Sequence, residues 1–182
     1  RNRTVTVSKY KLITDEGGGF YAWNGNLYQS DIVRSAIRPK VRAIGKTVGK
    51  HIRETIKPDG TKDIKVNPEP YIRFLLEEPN PYMTGQMLQE KLATQLELNN
   101  NAFAYINRDE NGYPIEIYPI TATACEALQN NQRETFLKFT LRTGRDVTFR
   151  YTDIIHLRKD FNNNEIFGDS PAQALAPLME IV

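Results

Sequence analysis

Two histidines, one cysteine, scattered serines and a few paired carboxylates are the residues of this 182-residue chain that could do chemistry. His51 and His156 each sit in a short apolar run with no Cys, His or Asp at ligand spacing beside them. A metal site or a general base needs converging partners, so a structural role at the edge of a core is the stronger reading for both. Ser170, in Gly168-Asp169-Ser170-Pro171, resembles a nucleophile only superficially. The strand-to-helix elbow needs a second glycine two residues after the serine. Serine followed by proline is instead a favoured way to open a helix. Cys125 has no neighbouring base in sequence and reads as an inert thiol. Glu77-Glu78 and Asp109-Glu110 fall at helix-end and turn positions, where carboxylates are normally solvated. The expectation is therefore no catalytic residue, no cofactor and no metal. A hydrolase working through scattered carboxylates is a remote rival, which a deep pocket with two facing carboxylates would revive.

A second constellation is electrostatic. Net charge is +2, but residues 1–62 carry thirteen Lys/Arg against five Asp/Glu, a net +8. Residues 63–182 carry eleven against seventeen, a net −6. Such a split suits binding to a polyanion or to an acidic neighbour, although a solvated surface explains it as well. The densest basic stretch lies on an amphipathic pattern that Ser30 or Asp31 can cap. Ile32, Val33, Ala36, Ile37, Val41, Ile44 and Val48 form one face, and Arg34, Arg38, Arg42, Lys46 and Lys50 the other. These five cations are the candidate contacts to DNA or to a neighbouring subunit. Pro39 should kink or interrupt this helix, and Gly45 and Gly49 should weaken its later turns.

The elements around these residues follow from turn and cap signals. Residues 1–22 read as a flexible leading segment containing Gly17-Gly18-Gly19, and residues 23–182 as the folded body. A hairpin is expected over residues 51–66 around Asp59-Gly60, and a short helix from Pro70 to Glu77. Thr84 should cap a longer helix ending at Asn99-Asn100-Asn101. Strands are expected over residues 102–107, 114–118, 125–128, 135–141, 146–151 and 154–158, then a loop and a helix opened by Ser170 and Pro171. Helices followed by a run of antiparallel strands give an α+β fold, with helices packed on antiparallel sheet. Phe103, Tyr105, Tyr113 and Tyr118 lie on two neighbouring strands; core packing is favoured over base stacking, since no basic groove interleaves them. A single cysteine excludes an internal disulfide framework, and no apolar run spans a bilayer. The chain opens without Met and closes inside a helical pattern, which reads as part of a longer protein.

Several motifs occur in a recognisable order. Leu75-Leu76-Glu77-Glu78-Pro79-Asn80-Pro81-Tyr82-Met83-Thr84 precedes a helix, and Asn99-Asn100-Asn101-Ala102-Phe103-Ala104-Tyr105-Ile106 follows it. Next come Gly112-Tyr113-Pro114-Ile115-Glu116-Ile117-Tyr118-Pro119-Ile120, then Asp153-Ile154-Ile155-His156-Leu157-Arg158, then Gly168-Asp169-Ser170-Pro171-Ala172. In this order and spacing the chain, from about Trp23 to Val182, resembles portal proteins of tailed phages of the Hong Kong 97 type. Asn100 stands where that family usually has glycine, and Phe103 where it usually has tyrosine. The resemblance implies a wing-like body of a ring subunit, twelve-fold in the full-length protein and incomplete here beyond residue 182. It implies a structural, non-enzymatic role at one capsid vertex. The implied partners are other copies of itself, terminase, capsid and tail-adaptor proteins, and double-stranded DNA passing through the channel, with no membrane. It places the protein in the virion, assembled in the host cytoplasm, and allows a prophage origin. It gives Pro79, Asn80, Pro81, Asn101, Ala102, His156, Gly168, Ser170 and Pro171 structural roles. The alternative is a nucleic-acid-binding module that uses the basic helix 31–50 and the aromatic sheet.

Overall fold

A computed structural model of the chain describes residues 10–12, 20–21, 31–47, 49–161, 166–169 and 171. Helix α1 is Asp31–Gly45. The hairpin strands β3 (Ile52–Ile56) and β4 (Lys62–Val66) follow, then α2 (Pro70–Glu77) and α3 (Gly85–Asn99). Six strands come next: β5 (Asn101–Arg108), β6 (Pro114–Ile120), β7 (Ala122–Asn130), β8 (Thr135–Leu141), β9 (Asp146–Arg150) and β10 (Ile154–Arg158). Two short strands, β1 (Tyr10–Leu12) and β2 (Phe20–Tyr21), pair with β7. Gly17, Gly18, Gly19, Ser30, Val48, Ser170 and the expected final helix lie outside the described residues.

The α+β expectation holds. Among the described residues all strand pairs are antiparallel, in three sheets: β10-β5-β6, the larger sheet β1-β7-β8-β9 with β2 also on β7, and the separate β3-β4 hairpin. The three-stranded sheet is the middle layer. Side chains alternate across a strand, and β5 uses that alternation to serve two cores. Phe103, with Tyr105 at its edge, faces Cys125, Ala127, Leu137 and Phe139 of the larger sheet. Ala102 and Ala104 face Leu75, Leu88 and Leu92 of the helices. The small residues sit where a helix must approach the sheet, and the large ones where two sheets must fill the space between them.

The loop from α2 to α3 is pinned to β6. Asn80 Nδ2 donates to the Ile117 carbonyl at 2.7 Å, and the Ile117 amide donates to the Pro79 carbonyl at 2.7 Å. Asn80 Oδ1 accepts from the Tyr82 amide, so one buried side chain bonds both the sheet and its own turn. Pro79 is fully buried and Pro81 exposed. Thr84 then caps α3 by accepting from the Met87 amide, as its position predicts.

Helix α1 departs from expectation in three respects. It ends at Gly45 rather than running on towards Lys50. Gly45 is buried, and a β-carbon there would collide with the Glu90 side chain of α3. The close crossing thus coincides with a residue of low helix propensity. Pro39 does not interrupt the helix. It and Ser35, whose carbonyl it leaves without a helical donor, are both exposed, so water can satisfy that group. Finally, Val41 and Gly45 are buried, but Ile32, Ala36 and Ile44 of the expected apolar face are exposed. The face that packs on α3 is narrower than the periodicity suggests.

Gly85, the first residue of α3, is buried against the end of α2, where an added β-carbon would run into the Leu76 carbonyl oxygen. Gly85→Val should therefore lower unfolding stability by about 2 kcal/mol through overpacking against backbone. Denaturant titration of the variant beside the parent measures this, and an unchanged midpoint would show that the α2–α3 joint can relax.

Candidate functional site

Three of the sequence motifs meet around Asn101, the first residue of β5 and almost completely buried. Helix α3 ends at Asn99, and Asn100 takes the left-handed conformation (φ 55°) that turns the chain into β5. Asparagine tolerates this region better than most residues, which accounts for its presence where glycine is usual. The Asn101 carboxamide then pairs with both backbone groups of Gly168. Its Nδ2 donates to the Gly168 carbonyl at 2.8 Å, and its Oδ1 accepts from the Gly168 amide at 2.8 Å. The second Nδ2 hydrogen goes to the Asn99 carbonyl and the second Oδ1 lone pair to His156 Nε2, at 3.1 and 3.0 Å. All four positions of the amide are used.

His156 is held on both sides. Asn101 Oδ1 can only accept, so Nε2 carries the proton; Nδ1 is then free to accept from the Tyr151 hydroxyl at 3.2 Å. The ring stacks on Phe103 with centroids 4.5 Å apart. Burial, with the charge of Arg158 adding to it, pushes the imidazole down to about 4, so it is neutral at physiological pH. Both its nitrogens are engaged inside the protein, as the structural reading of His156 requires.

Gly168 is boxed in by backbone. A β-carbon would meet the carbonyl oxygens of Asn100 and Lys159. Asn100 ties the same region a second time: its Nδ2 donates to the Asp169 carbonyl at 2.6 Å and to Asp160 Oδ2 at 3.1 Å. Beside it, Glu97 of α3 accepts from Lys159 at 3.1 Å and pairs with Lys40 of α1 at 2.8 Å. Burial raises the Glu97 carboxyl, but the two lysines outweigh it and hold it below the usual carboxylate range. Sequence reading missed Glu97, Lys159 and Asp160. Their partners are more than 50 residues away in sequence, or on another element, so no local pattern marks them.

The five basic candidates do not stay together. Arg34, Arg38 and Arg42 line one wall of an open cleft of about 1060 Å³ between α1, α3 and the start of β7. Lys91 and Arg142 join them there, and sequence reading had singled out neither. Lys46 lies in the turn after α1 and Lys50 in the segment leading to β3, so neither continues the helical face. Arg34 pairs with Asp31. Among the described residues, neither Arg38 nor Arg42 forms an ion pair.

Two of the four sheet aromatics pack in the core. Phe103 is buried and lies edge-on to Phe139, and Tyr105 stacks on Phe149 at 4.4 Å. Tyr113 is exposed, edge-on to Tyr71 of α2, and Tyr118 is half-buried. Phe103 and Tyr105 cannot present a face to a nucleotide base. Cys125 is completely buried, and burial raises its thiol far above the ordinary range. His51 anchors the hairpin root through its backbone, which exchanges hydrogen bonds with Asn67. Among the described residues no group of three or more His, Cys, Asp or Glu could hold a metal ion. None of the described helices is long and apolar enough to cross a membrane.

Two outcomes follow from this geometry. Gly168→Ala should cost about 3 kcal/mol, because the methyl group meets two carbonyls and breaks the Asn101 pairing; a denaturant midpoint within error of the parent would contradict it. The His156 contribution should depend on pH. Its folded pKa is depressed, so its stabilisation is complete above the unfolded value of about 6.5 and is lost as pH falls towards 4, on the order of 3 kcal/mol. Unfolding midpoints measured from pH 7 to 4 should show that loss, and His156→Gln should flatten it.

The profile of the phage portal protein family covers residues 31–182. The chain is 31% identical over 121 residues to the portal protein of Enterobacteria phage HK97, spanning 65% of this chain and 27% of that protein. Its fold is similar to a chain in the neck of an empty GTA particle computed with C6 symmetry. The TM-score is 0.67 at 17% identity, over 91% of this chain and 45% of that one. A chain in the neck of the native GTA particle computed with C12 symmetry gives a TM-score of 0.66 at 17% identity, over 92% and 44%. The chain thus spans about a quarter of the curated relative and under half of the structural ones. With the family profile matched from α1 to the last residue, this chain belongs to the phage portal protein family.

Proposed function

We propose that the chain is the wing-like body, residues 23–182, of a portal subunit: a structural part of a ring at the capsid vertex through which DNA is packaged and ejected. The observation that carries this reading is the convergence of the motif residues. Pro79 and Asn80 fix the α2–α3 loop to β6, while Asn101 bonds both His156 and Gly168. Side chains spent on mutual backbone bonds build a rigid body, which is what a conduit under load requires.

The same geometry supports a non-enzymatic role. His156 is neutral with both nitrogens engaged, and Cys125 is sealed in the sheet–sheet core. Twelve-fold assembly with other copies, docking of terminase and tail components, and a virion location belong to this proposal. Support comes from family membership and from the C12 symmetry of one structural relative.

The arginine-walled cleft favours a contact role for Arg38 and Arg42, to an acidic surface of a neighbouring subunit or to DNA. The rival reading, a free-standing nucleic-acid module, retains those arginines but loses Phe103 and Tyr105 as stacking faces. Electron microscopy of the full-length protein should show rings with a central channel. Arg38→Glu with Arg42→Glu should reduce the ring fraction at equal protein concentration, and unchanged rings would remove these two residues from the interface. The chain alone should bind double-stranded DNA weakly; tight binding that falls steeply with salt would favour the rival.

A further inference from the structure

The β3–β4 hairpin is built the wrong way round for a ribbon lying on its own protein. The register pairs Ile52 with Val66, Glu54 with Ile64 and Ile56 with Lys62. Directly paired residues of an antiparallel ribbon share a face, so Ile52, Ile56, Ile64 and Val66 lie together, on a face that also carries the Glu54–Lys62 ion pair. All four are more than half exposed. The other face carries Arg53, Thr55, Asp63 and Lys65. That polar face is the one turned to the body: Arg53 pairs with Glu69 just before α2 and lines the groove beside Tyr71 and Phe74. The apolar face therefore points away from the chain's own core. A two-stranded hairpin is marginal in water unless something packs on it, and four β-branched side chains on one exposed ribbon form an aggregation hazard unless covered.

We infer that this apolar face is a subunit interface, covered in the assembled protein by a neighbouring copy of the same chain. The inference rests on the ring reading above. Two observations favour a second copy over another partner. A cyclic assembly joins two different surfaces of one chain, head to tail. The hairpin and the rest of the body carry opposite charge: residues 50–66 hold five Lys/Arg and three Asp/Glu, a net +2, whereas residues 23–49 and 67–182 together hold fifteen and seventeen, a net −2. Lys57 near the hairpin turn and Lys65 on the polar face are both exposed. The hairpin thus offers an exposed apolar strip on a ribbon of net positive charge to a neighbouring copy whose remaining body is net negative.

The test uses the full-length subunit. Ile56→Lys with Ile64→Lys should abolish rings in sedimentation velocity and electron microscopy at concentrations where the parent is fully assembled. It should leave the thermal transition of the unassembled subunit unchanged, because both positions are already exposed. Thr55→Lys on the opposite face should leave rings intact. A photo-reactive benzoylphenylalanine at position 64 should give a crosslinked band of twice the subunit mass. Rings formed by the double variant as readily as by the parent would overturn the inference. So would a lowered melting transition of the unassembled double variant, which would mean that the strip is covered within its own chain, or crosslinks made only to capsid or terminase proteins. If the parent itself forms no rings, the ring reading fails; if parent and variant both form them, the hairpin inference alone fails.

Discussion

A buried primary amide must satisfy two donors and two acceptor positions, and each one left open costs about 1–3 kcal/mol. Asn101 meets that demand with groups drawn from three distant parts of the chain: its own helix end, β10 and the segment at Gly168. Other features are consequences. The helix must stop at Asn99 and turn through a left-handed residue for the amide to reach Gly168. Gly168 must lack a β-carbon, because two carbonyls already occupy that space. His156 must stay neutral, because a doubly protonated ring could not accept from Tyr151.

The knot also explains how the layers are held in register. β5 runs from Asn101 through the middle of the three-stranded sheet, with β10 on one side and β6 on the other. Its alternating side chains contribute to both cores, so an error at its first residue would shift both at once. On the far edge, Asn80 and Pro79 fix β6 to the α2–α3 loop through two 2.7 Å bonds. One amide on the central strand and one beside the edge strand thus lock helices to strands, which packing of Leu88 and Leu92 on Ala102 and Ala104 alone would leave free to slide.

What faces outward is of a different character. Glu97 sits between Lys40 and Lys159 and ties α1 to the knot, while Arg38 and Arg42 remain available on the cleft wall. The hairpin turns its polar side to the body and its apolar side away. A rigid, polar-bonded interior thus stands beside exposed arginines and an exposed apolar strip.

Much of this was legible locally. Thr84 as a cap, Asp59-Gly60 as a turn, and the strands 135–141 and 154–158 follow from short-range chemistry that the neighbours do not override, and the antiparallel α+β order follows from them. The ordered motifs marked the family, and with it the importance of Asn80, Asn101, His156 and Gly168. The end of α1 was not legible, because Gly45 breaks the pattern only where α3 crosses it closely. Lys46 and Lys50 looked like helix-face cations for the same reason. Nor could periodicity show which side of the hairpin would face the body, since alternation defines two faces without choosing between them. Tertiary structure alone decided that Asn101 bonds Gly168, 67 residues away, and that Glu97 is shared by two lysines. A sequence specifies what each side chain can donate or accept; which partner it meets is fixed only when the layers close.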